Sequence, residues 1–241
     1  MARPIYLLTD FGWTGPYVGQ LHAAILAVSD ASRVIDVMHD LPAMRPDLAA
    51  YLLPGVCRQL AVPGVVVAVV DPGVGGDRDP LIVETTLHTY VGPDNGLLCQ
   101  LDDITAVYRI DWRPPRLSPS FHGRDLFAPV AARLAVGSWP ASMSAPVEMA
   151  VGADWPDVLK CVVYIDAYGN AVTGVPAKGV DLKTKISISG RSLGYASTFC
   201  QIAHGELFWY RNSQGLVEIA AREASAAKIL SLALGDRILL H

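Results

Sequence analysis

Three short polar segments of this 241-residue chain carry side chains capable of acid–base chemistry. Asp10 lies in the string T-D-F-G, Asp71 and Arg78 flank the glycines of D-P-G-V-G-G-D-R, and His122 lies in S-F-H-G-R-D. Carboxylate and imidazole groups serve as general acids and bases, and a guanidinium offers a fixed set of N–H donors. Because each segment follows or leads into an apolar run, these residues are candidates for a functional site.

The same residues also have structural interpretations, which the residue types alone leave open. An Asp after a strand is a common helix cap, which applies to Asp10, and the Asp and Arg of one loop can form an ordinary salt bridge. A lone His is more often structural than catalytic, although His122 lies beside a Gly at a predicted helix entrance, where backbone N–H groups are available. Asp125 fits the N-cap of that helix better than a catalytic role.

Several reaction classes are excluded by the strings that are missing. The D-F-G triplet lacks the other protein-kinase motifs, the Gly-rich string lacks the Lys-Ser/Thr ending of a P-loop, and no G-x-S-x-G elbow occurs. No two of the 6 His and no two of the 4 Cys have the close spacing of a zinc site. We therefore expect neither a metal nor a phosphate-cradling loop.

An alternation of strands and helices in the first half positions these segments. Apolar runs at 5–8, 33–37, 64–70, 81–83, 88–91 and 106–110 predict strands, and helical spacing at 17–29, 47–60 and 126–136 predicts helices. Such alternation predicts a parallel-sheet α/β domain. Ligands bind these sheets beyond the carboxyl ends of the strands, where Asp10 and Asp71 would lie.

After Trp139 the pattern changes to a connector with Pro and Gly, followed by short β-rich segments. The segments at 161–165, 186–189, 207–210 and 217–220 predict a smaller antiparallel sheet or barrel. We therefore expect an amino-terminal α/β domain over residues 1–150 and a carboxyl-terminal β-barrel domain over residues 158–241. The turns around Tyr168 and Ser213 suit hairpin connections, although an aromatic beside Asp and Asn also suits base stacking.

The composition limits the class of protein. Hydrophobic residues make up 51% and charged residues 17%, which excludes intrinsic disorder. No apolar run approaches the roughly 20 residues that a membrane-spanning helix needs. The net charge of −4 and the lack of a Lys/Arg cluster argue against a nucleic-acid partner. The amino terminus carries no export signal, which predicts a cytoplasmic protein.

Six strings in a fixed order resemble the S-adenosylmethionine hydrolases, also called S-adenosylmethionine hydroxide adenosyltransferases, which are relatives of the fluorinase and chlorinase enzymes. They are T-D-F-G, V-D-P-G-V-G-x-x-R, G-P-D-N-G-L-L, F-H-G-R-D-x-F-A-P, I-D-x-Y-G-N and N-S-x-G, and they span nearly the whole chain. The resemblance implies a catalytic α/β domain, a β-barrel domain that completes the ligand site, and a homotrimer with active sites at subunit interfaces. It also implies S-adenosyl-L-methionine as the substrate, without a cofactor.

The resemblance assigns Asp71, Arg78 and His122 to the set around an attacking water. The halogenating relatives lack this set, so its presence favours water over halide as the nucleophile. Asp71 and His122 would hold the water and accept its proton, and Arg78 would orient the carboxylate. Which of the two accepts the proton is left open.

The expected reaction is attack of water at the ribose 5′ carbon, which gives adenosine and L-methionine. Two alternatives stay open at this stage. One is a halogenase that acts on the same ligand, and the other is a non-catalytic protein that binds adenosine or S-adenosylmethionine.

The resemblance also assigns the substrate contacts. Asp10 would hold the ribose hydroxyls, and Phe121 would form a wall of the site. The resemblance assigns three residues to holding the methionine moiety or flanking the nucleoside: Asp166, Tyr168 and Asn170. It assigns Ser213 to the end of the site that contacts adenine. Gly15 and Met44 depart from the family, which often has an Asp at the first position and an aromatic at the second. These departures affect the expected substrate affinity and leave the reaction type unchanged.

Overall fold

The computed structural model describes residues 2–138 and 147–241, which belong to two compact units. Unit 1 comprises Met1–Pro54 and Leu60–Trp155, and unit 2 comprises Gly55–Gln59 and Pro156–His241. Trp139, Pro140 and Pro146 of the predicted connector lie outside the described residues. None of the helices in the described ranges is long and apolar enough to cross a membrane.

Unit 1 is built on a six-stranded sheet. The strands are β1 Ile5–Thr9, β2 Val34–Met38, β3 Val65–Val69, β4 Pro80–Thr85, β5 Thr89–Pro93 and β6 Ile104–Arg109, in the order β2-β1-β3-β5-β4-β6. The helices are α1 Tyr17–Leu26, α2 Pro46–Cys57, of which residues 55–57 are assigned to unit 2, and α3 Ala128–Ala135. Every residue of β1 and β3 is buried, as expected for central strands that are apolar apart from Thr9 at the end of β1.

The sheet is mixed, although the sequence pattern predicts a parallel one. Strands β2, β1, β3 and β5 run parallel, whereas β4 pairs antiparallel with both β5 and β6. The connection between β4 and β5 consists only of residues 86–88. A parallel pair needs a crossover of about a dozen residues or more, so this short connection permits only a hairpin.

Helices α1 and α3 cover one face of the sheet. Alternate residues of β1, such as Leu7, point into a fully buried cluster with Leu21 and Ile25 of α1 and Val130 of α3. Phe127, which has no exposed surface, fills the space just before α3. The core on this face therefore fixes the segment that carries His122.

The predicted N-cap role of Asp125 is wrong. A π-helical turn, Gly123–Phe127, precedes α3, and Asp125 lies within this turn. Its carboxylate accepts the backbone N–H of Ser118 at 2.8 Å and pairs with Arg124 at 2.6 Å. Asp125 therefore ties the π-helical turn to the chain that precedes it.

Unit 2 contains two antiparallel sheets around one core. The strands are β7 Leu159–Ile165, β8 Ala171–Pro176, β9 Ile186–Ile188, β10 Arg191–Leu193, β11 Leu207–Arg211, β12 Leu216–Ala221 and β13 Leu239–Leu240, with helix α4 at Ala226–Leu230. The sheet orders are β11-β12-β8-β7 and β10-β9-β13. Trp209 is fully buried in the shared core, and its indole N–H donates to the carbonyl of Thr184 at 3.0 Å.

The predicted fold class, an α/β unit followed by a smaller antiparallel β unit, is confirmed. Across the described part of unit 2 the two sheets stay separate and do not close into one continuous barrel. The sequence analysis did not identify β8, because Ala171–Pro176 contains a Gly and ends in a Pro, which are turn signals. It also did not identify β10 and β13, which span three and two residues.

Replacing Leu7 by Ala should lower the free energy of unfolding by about 2–5 kcal/mol, because Leu7 has no exposed surface and the cavity would lie between sheet and helices. The matched control is Leu26→Ala, at the exposed end of α1. This substitution should change the free energy of unfolding by less than about 0.5 kcal/mol. Urea unfolding measures both variants. Equal effects of the two substitutions would contradict the described packing of β1.

Candidate active site

A cluster of three charged or polar side chains lies at the end of β3 in unit 1. Asp71 follows this strand, and the Nε of Arg78 donates to both of its carboxylate oxygens, at 3.1 Å each. The Nη2 of Arg78 also donates to Oδ2 of Asp71. The Asp71 and Arg78 side chains are only 5% and 10% exposed, so water screens this ion pair weakly.

The same guanidinium holds His122. The Nη2 of Arg78 lies 2.8 Å from Nδ1 of His122. A guanidinium has only donors, so Nδ1 must accept this hydrogen bond, and the imidazole proton resides on Nε2. Burial lowers the pKa of His122, the positive charge of Arg78 lowers it further, and the carboxylate of Asp71 offsets part of this effect. The geometry and the pKa shift both favour a neutral imidazole.

The glycine loop between Asp71 and Arg78 brings the two halves of this cluster together. Gly75 has a φ of +81°, and a Cβ at this position would lie 2.2 Å from the carbonyl oxygen of Pro119. Only glycine permits so close an approach of the loop to the chain that leads into His122. This close approach lets Arg78, which forms a salt bridge with Asp71, also contact His122.

Asp10 lies after β1, next to β3 in the sheet. Its Oδ2 accepts the backbone N–H of Met44 at 2.9 Å, and its own N–H donates to the carbonyl of Val69 at 3.3 Å. Burial raises the pKa of Asp10, the Met44 hydrogen bond partly offsets this, and the charge of Asp71 adds to the rise. The N-cap of α1 is Pro16, so Asp10 does not cap that helix.

Phe121 belongs to an aromatic cluster beside His122. Its ring centroid lies 5.7 Å from that of Phe11 and 5.4 Å from that of Tyr17, both in edge-to-face geometry. The guanidinium of Arg124 lies 5.0 Å from the Phe121 ring. Phe11 and Tyr17 were not predicted as site residues, because Phe11 was considered only as part of the T-D-F-G string and Tyr17 only as the start of a predicted helix.

In unit 2, the predicted residues Asp166, Tyr168 and Asn170 share one turn. Oδ1 of Asp166 accepts the backbone N–H groups of Tyr168 at 3.0 Å and of Asn170 at 2.8 Å. Oδ2 accepts the side-chain amide of Asn170 at 2.9 Å. Asp166 thus fixes the turn between β7 and β8, and Tyr168, which is 82% exposed, projects from it.

A cavity of about 610 Å³ lies beside this turn. It is lined by Asp166, Tyr168, Asn170, Phe199, Tyr210, Ala221, Glu223, Ala224 and Ser225. Three aromatic rings and two carboxylates make it suited to a flat ring or a cationic group. Ser213 is not among the described residues that line it. It lies in the exposed turn between β11 and β12, where its carbonyl accepts the Nε2 of Gln59 at 3.0 Å.

A buried carboxylate behind the cavity was missed by the sequence analysis. Glu218 is 4% exposed and accepts the hydroxyl of Tyr210 at 2.6 Å and the side-chain amide of Asn212 at 2.8 Å. Burial raises the pKa of Glu218. Burial also raises the pKa of Tyr210, and the hydrogen bond to Glu218 raises it further. The one available signal was a charged residue inside the apolar run of β12.

Within residues 2–138 and 147–241, no group of three or more His, Cys, Asp or Glu residues is arranged to hold a metal ion. The chemistry of the described side chains at the end of β3 is that of hydrogen bonding and proton transfer.

Comparison with known proteins identifies the family. Residues 5–144 match the model of the SAM hydroxide adenosyltransferase N-terminal domain, where SAM is S-adenosylmethionine, and residues 160–239 match that of the C-terminal domain. A Thermus thermophilus protein named (R)-S-adenosyl-L-methionine hydrolase is 35% identical, covering 95% of this chain and 96% of its own. A Salinispora arenicola protein of the same name is 34% identical, covering 97% and 96%.

Solved structures agree with this match. The crystal structure of an uncharacterized conserved protein from Thermotoga maritima superposes with a TM-score of 0.85 at 28% identity, covering 98% of this chain and 99% of the other. That of a conserved hypothetical protein from Thermus thermophilus gives a TM-score of 0.81 at 35% identity, covering 99% and 100%. On the match of both domain models and of full-length relatives, the chain belongs to the SAM hydroxide adenosyltransferase family.

Proposed function

We propose that this chain is an enzyme that hydrolyses S-adenosyl-L-methionine to adenosine and L-methionine. The observation that carries the proposal is the cluster of Asp71, Arg78 and His122 at the end of β3, in a chain whose full-length relatives are named (R)-S-adenosyl-L-methionine hydrolase. The family resemblance assigns these three residues to the set around the attacking water. No described feature favours the halogenase or the non-catalytic alternative.

The main requirement of this reaction is to position and activate the water that acts as the nucleophile. Water forms a bond to the ribose 5′ carbon while the carbon–sulfur bond breaks, and the bonding pair goes to the sulfonium sulfur. The leaving group departs as a neutral thioether, so no general acid is needed. Water is a weak nucleophile that must lie in line with the breaking bond, and positioning supplies roughly 7–11 kcal/mol in favourable cases.

Asp71 accepts the proton of the water in this proposal. The Nδ1 lone pair of His122 is engaged by Arg78, and its Nε2 carries the ring proton, so the neutral imidazole has no free acceptor in this arrangement. A carboxylate has about four lone-pair sites, and the bonds from Arg78 leave Asp71 with acceptor capacity. His122 then orients the water through its Nε2–H.

Arg78 has two tasks in this mechanism. It fixes the plane of the Asp71 carboxylate through the N–H groups of Nε and Nη2, which donate to Oδ1 and Oδ2, and its charge favours the hydroxide-like oxygen that forms as the proton leaves. Its charge also helps to keep His122 neutral.

The substrate contacts follow the family resemblance. Asp10 holds the ribose hydroxyls and Phe121 forms a wall of the site. In the second domain, the base and the methionine moiety are held by Asp166, Tyr168, Asn170 and Ser213. The aromatic and carboxylate lining of the cavity in unit 2 supports these roles for Asp166, Tyr168 and Asn170. For Ser213, which lies outside that lining, the support is the resemblance alone.

The organisation of the whole protein is part of the same proposal. Residues 1–150 form the catalytic domain and residues 158–241 the domain that completes the ligand site. The protein is a homotrimer whose active sites lie at subunit interfaces, and it acts without a cofactor in the cytoplasm. Light scattering tests the trimer, and a monomer would contradict it.

Purified protein incubated with S-adenosyl-L-methionine should release adenosine and methionine in equal amounts, as measured by chromatography. Asp71→Asn should lower kcat by about 100-fold or more, because it removes the proton acceptor while keeping the side-chain size. His122→Ala should also lower kcat, and both variants should still bind adenosine in calorimetry.

The control for this experiment is Asp77→Asn, an exposed Asp in the same glycine loop, which should keep wild-type turnover. Full turnover by Asp71→Asn would contradict the assignment of the proton acceptor. A chloride-dependent 5′-chloro product would contradict hydrolysis as the activity.

The pH dependence of kcat should follow the lowered pKa of His122. A neutral imidazole is needed to accept the bond from Arg78, so turnover should stay constant as the pH falls from 8 through the ordinary histidine pKa of about 6.5. It should decline only in more acidic solution, where the imidazolium forms. A kcat profile that falls with a midpoint above about 6.5 would contradict the neutral role of His122.

A further inference from the structure

A second, fully buried histidine lies beneath the turn that follows β1. His39 has no exposed surface, and its Nδ1 lies 2.7 Å from the hydroxyl of Thr9, which is also fully buried. Its Nε2 lies 3.0 Å from Oδ1 of Asp36, and the same carboxylate receives Nε2 of His22 at 2.8 Å. The proposed reaction assigns no role to any of these four side chains.

The direction of each hydrogen bond follows from the inventory of donors. The Asp36 carboxylate only accepts, so Nε2 of His39 donates to it. In the neutral imidazole, Nδ1 then accepts the hydroxyl proton of Thr9. The oxygen of that hydroxyl accepts the backbone N–H of Phe11 at 3.2 Å. The buried polar side-chain atoms of Thr9 and His39 therefore all have partners, and removing one of these groups leaves another unsatisfied.

His39 holds the turn after β1 at two further points. Its backbone carbonyl accepts the N–H of Gly12 at 2.7 Å, and its ring lies edge-on to the Trp13 ring at a centroid distance of 4.7 Å. Gly12 adopts a φ of +68°, so the chain reverses here in a conformation that few residues adopt. His39 thus contacts the chain on both sides of Asp10.

Two hydrogen bonds hold Asp10 directly, one from its own N–H to the carbonyl of Val69 at 3.3 Å and one to its carboxylate. Its carboxylate is held by the N–H of Met44, a residue that is 73% exposed and has a positive φ of 58°. The placement of Asp10 therefore depends mainly on the turn around it, which begins at Thr9.

We propose that His39 is a positioning residue for substrate binding. Backed by Asp36, it holds the Thr9 hydroxyl so that the turn keeps the Asp10 carboxylate in place for the ribose hydroxyls. This inference rests on the proposed function, in which Asp10 binds the ribose.

The bond to Thr9 and the bond to Asp36 can be separated by substitution. His39→Asn places an amide near the position of Nδ1 and keeps a partner for Thr9, whereas His39→Gln reaches towards Asp36 and loses the Thr9 bond. Thr9→Val removes the hydroxyl at similar size, and Thr9→Ser retains it. His204→Ala, a substitution at a 74% exposed side chain, serves as the neutral control.

Thr9→Val and His39→Gln should each raise the KM for S-adenosyl-L-methionine and the Kd for adenosine about tenfold, the effect of about 1.4 kcal/mol. Their kcat should change less than about threefold, because the cluster around Arg78 is untouched. Thr9→Ser and His39→Asn should keep the KM for S-adenosyl-L-methionine and the Kd for adenosine within about threefold of the wild-type values. Hydrogen exchange of the Phe11 and Gly12 amides should accelerate in the first pair of variants and not in His204→Ala.

Two results overturn the proposal. One is faster exchange at Phe11 and Gly12 with unchanged KM and Kd, because the turn would then loosen without affecting binding. The other is a fall in kcat with unchanged KM. Hydrolysis of S-adenosyl-L-methionine and binding of adenosine are measured for the wild-type protein first. If it does neither, the proposed function itself is contradicted. If Thr9→Val does not fold, His39→Gln and its matched His39→Asn decide the question.

Discussion

The Arg78 guanidinium donates hydrogen bonds in two directions, to the carboxylate of Asp71 and to Nδ1 of His122, and it can accept none in return. This one-way chemistry fixes the roles of its neighbours in these hydrogen bonds. Both oxygens of Asp71 accept, and His122 has to present its lone pair on Nδ1 and its proton on Nε2. The proposed division of labour, with Asp71 as the proton acceptor and His122 as the group that orients water, follows from the position of Arg78 between them.

The parallel pairing of β1 with β3 determines which carboxylates meet. Thr9 lies opposite Val69 in this pair, so the two strands end at the same level and Asp10 and Asp71 follow at one edge of the sheet. Both strands are buried, so packing fixes their register. The fixed register in turn sets the positions of Asp10 and Asp71 relative to each other. Burial raises the pKa of Asp10, and the negative charge of Asp71 adds to this rise because the paired strands end with the two acidic residues at the same edge.

In unit 2 the polar groups that shape the cavity are restrained by bonds within short segments. Asp166 uses both oxygens to hold its own turn, and Glu218 uses both to hold Tyr210 and Asn212. A buried carboxylate that accepts two donors in this way keeps an aromatic wall and a neighbouring hairpin turn in fixed positions. These hydrogen bonds would favour the proposed binding of a ligand in the cavity without rearrangement of the turns.

The amino-acid sequence was enough to identify the family, the order of an α/β unit followed by a smaller β unit, and the candidate reactive side chains. It could do so because Asp10 and Asp71 directly follow apolar strands, and because six strings recur in a fixed order. The antiparallel β4 was missed, although the four residues between the predicted strands at 81–83 and 88–91 were already too few for a parallel crossover. The role of Asp125 could not be predicted, because it depends on where a π-helical turn begins. Two contacts between distant segments exist only in the folded chain: Arg78 donates to Nδ1 of His122, and Nδ1 of His39 lies 2.7 Å from the hydroxyl of Thr9, the residue before Asp10. These contacts join residues 44 and 30 positions apart, and hydrogen-bond direction depends on geometry that residue types do not encode.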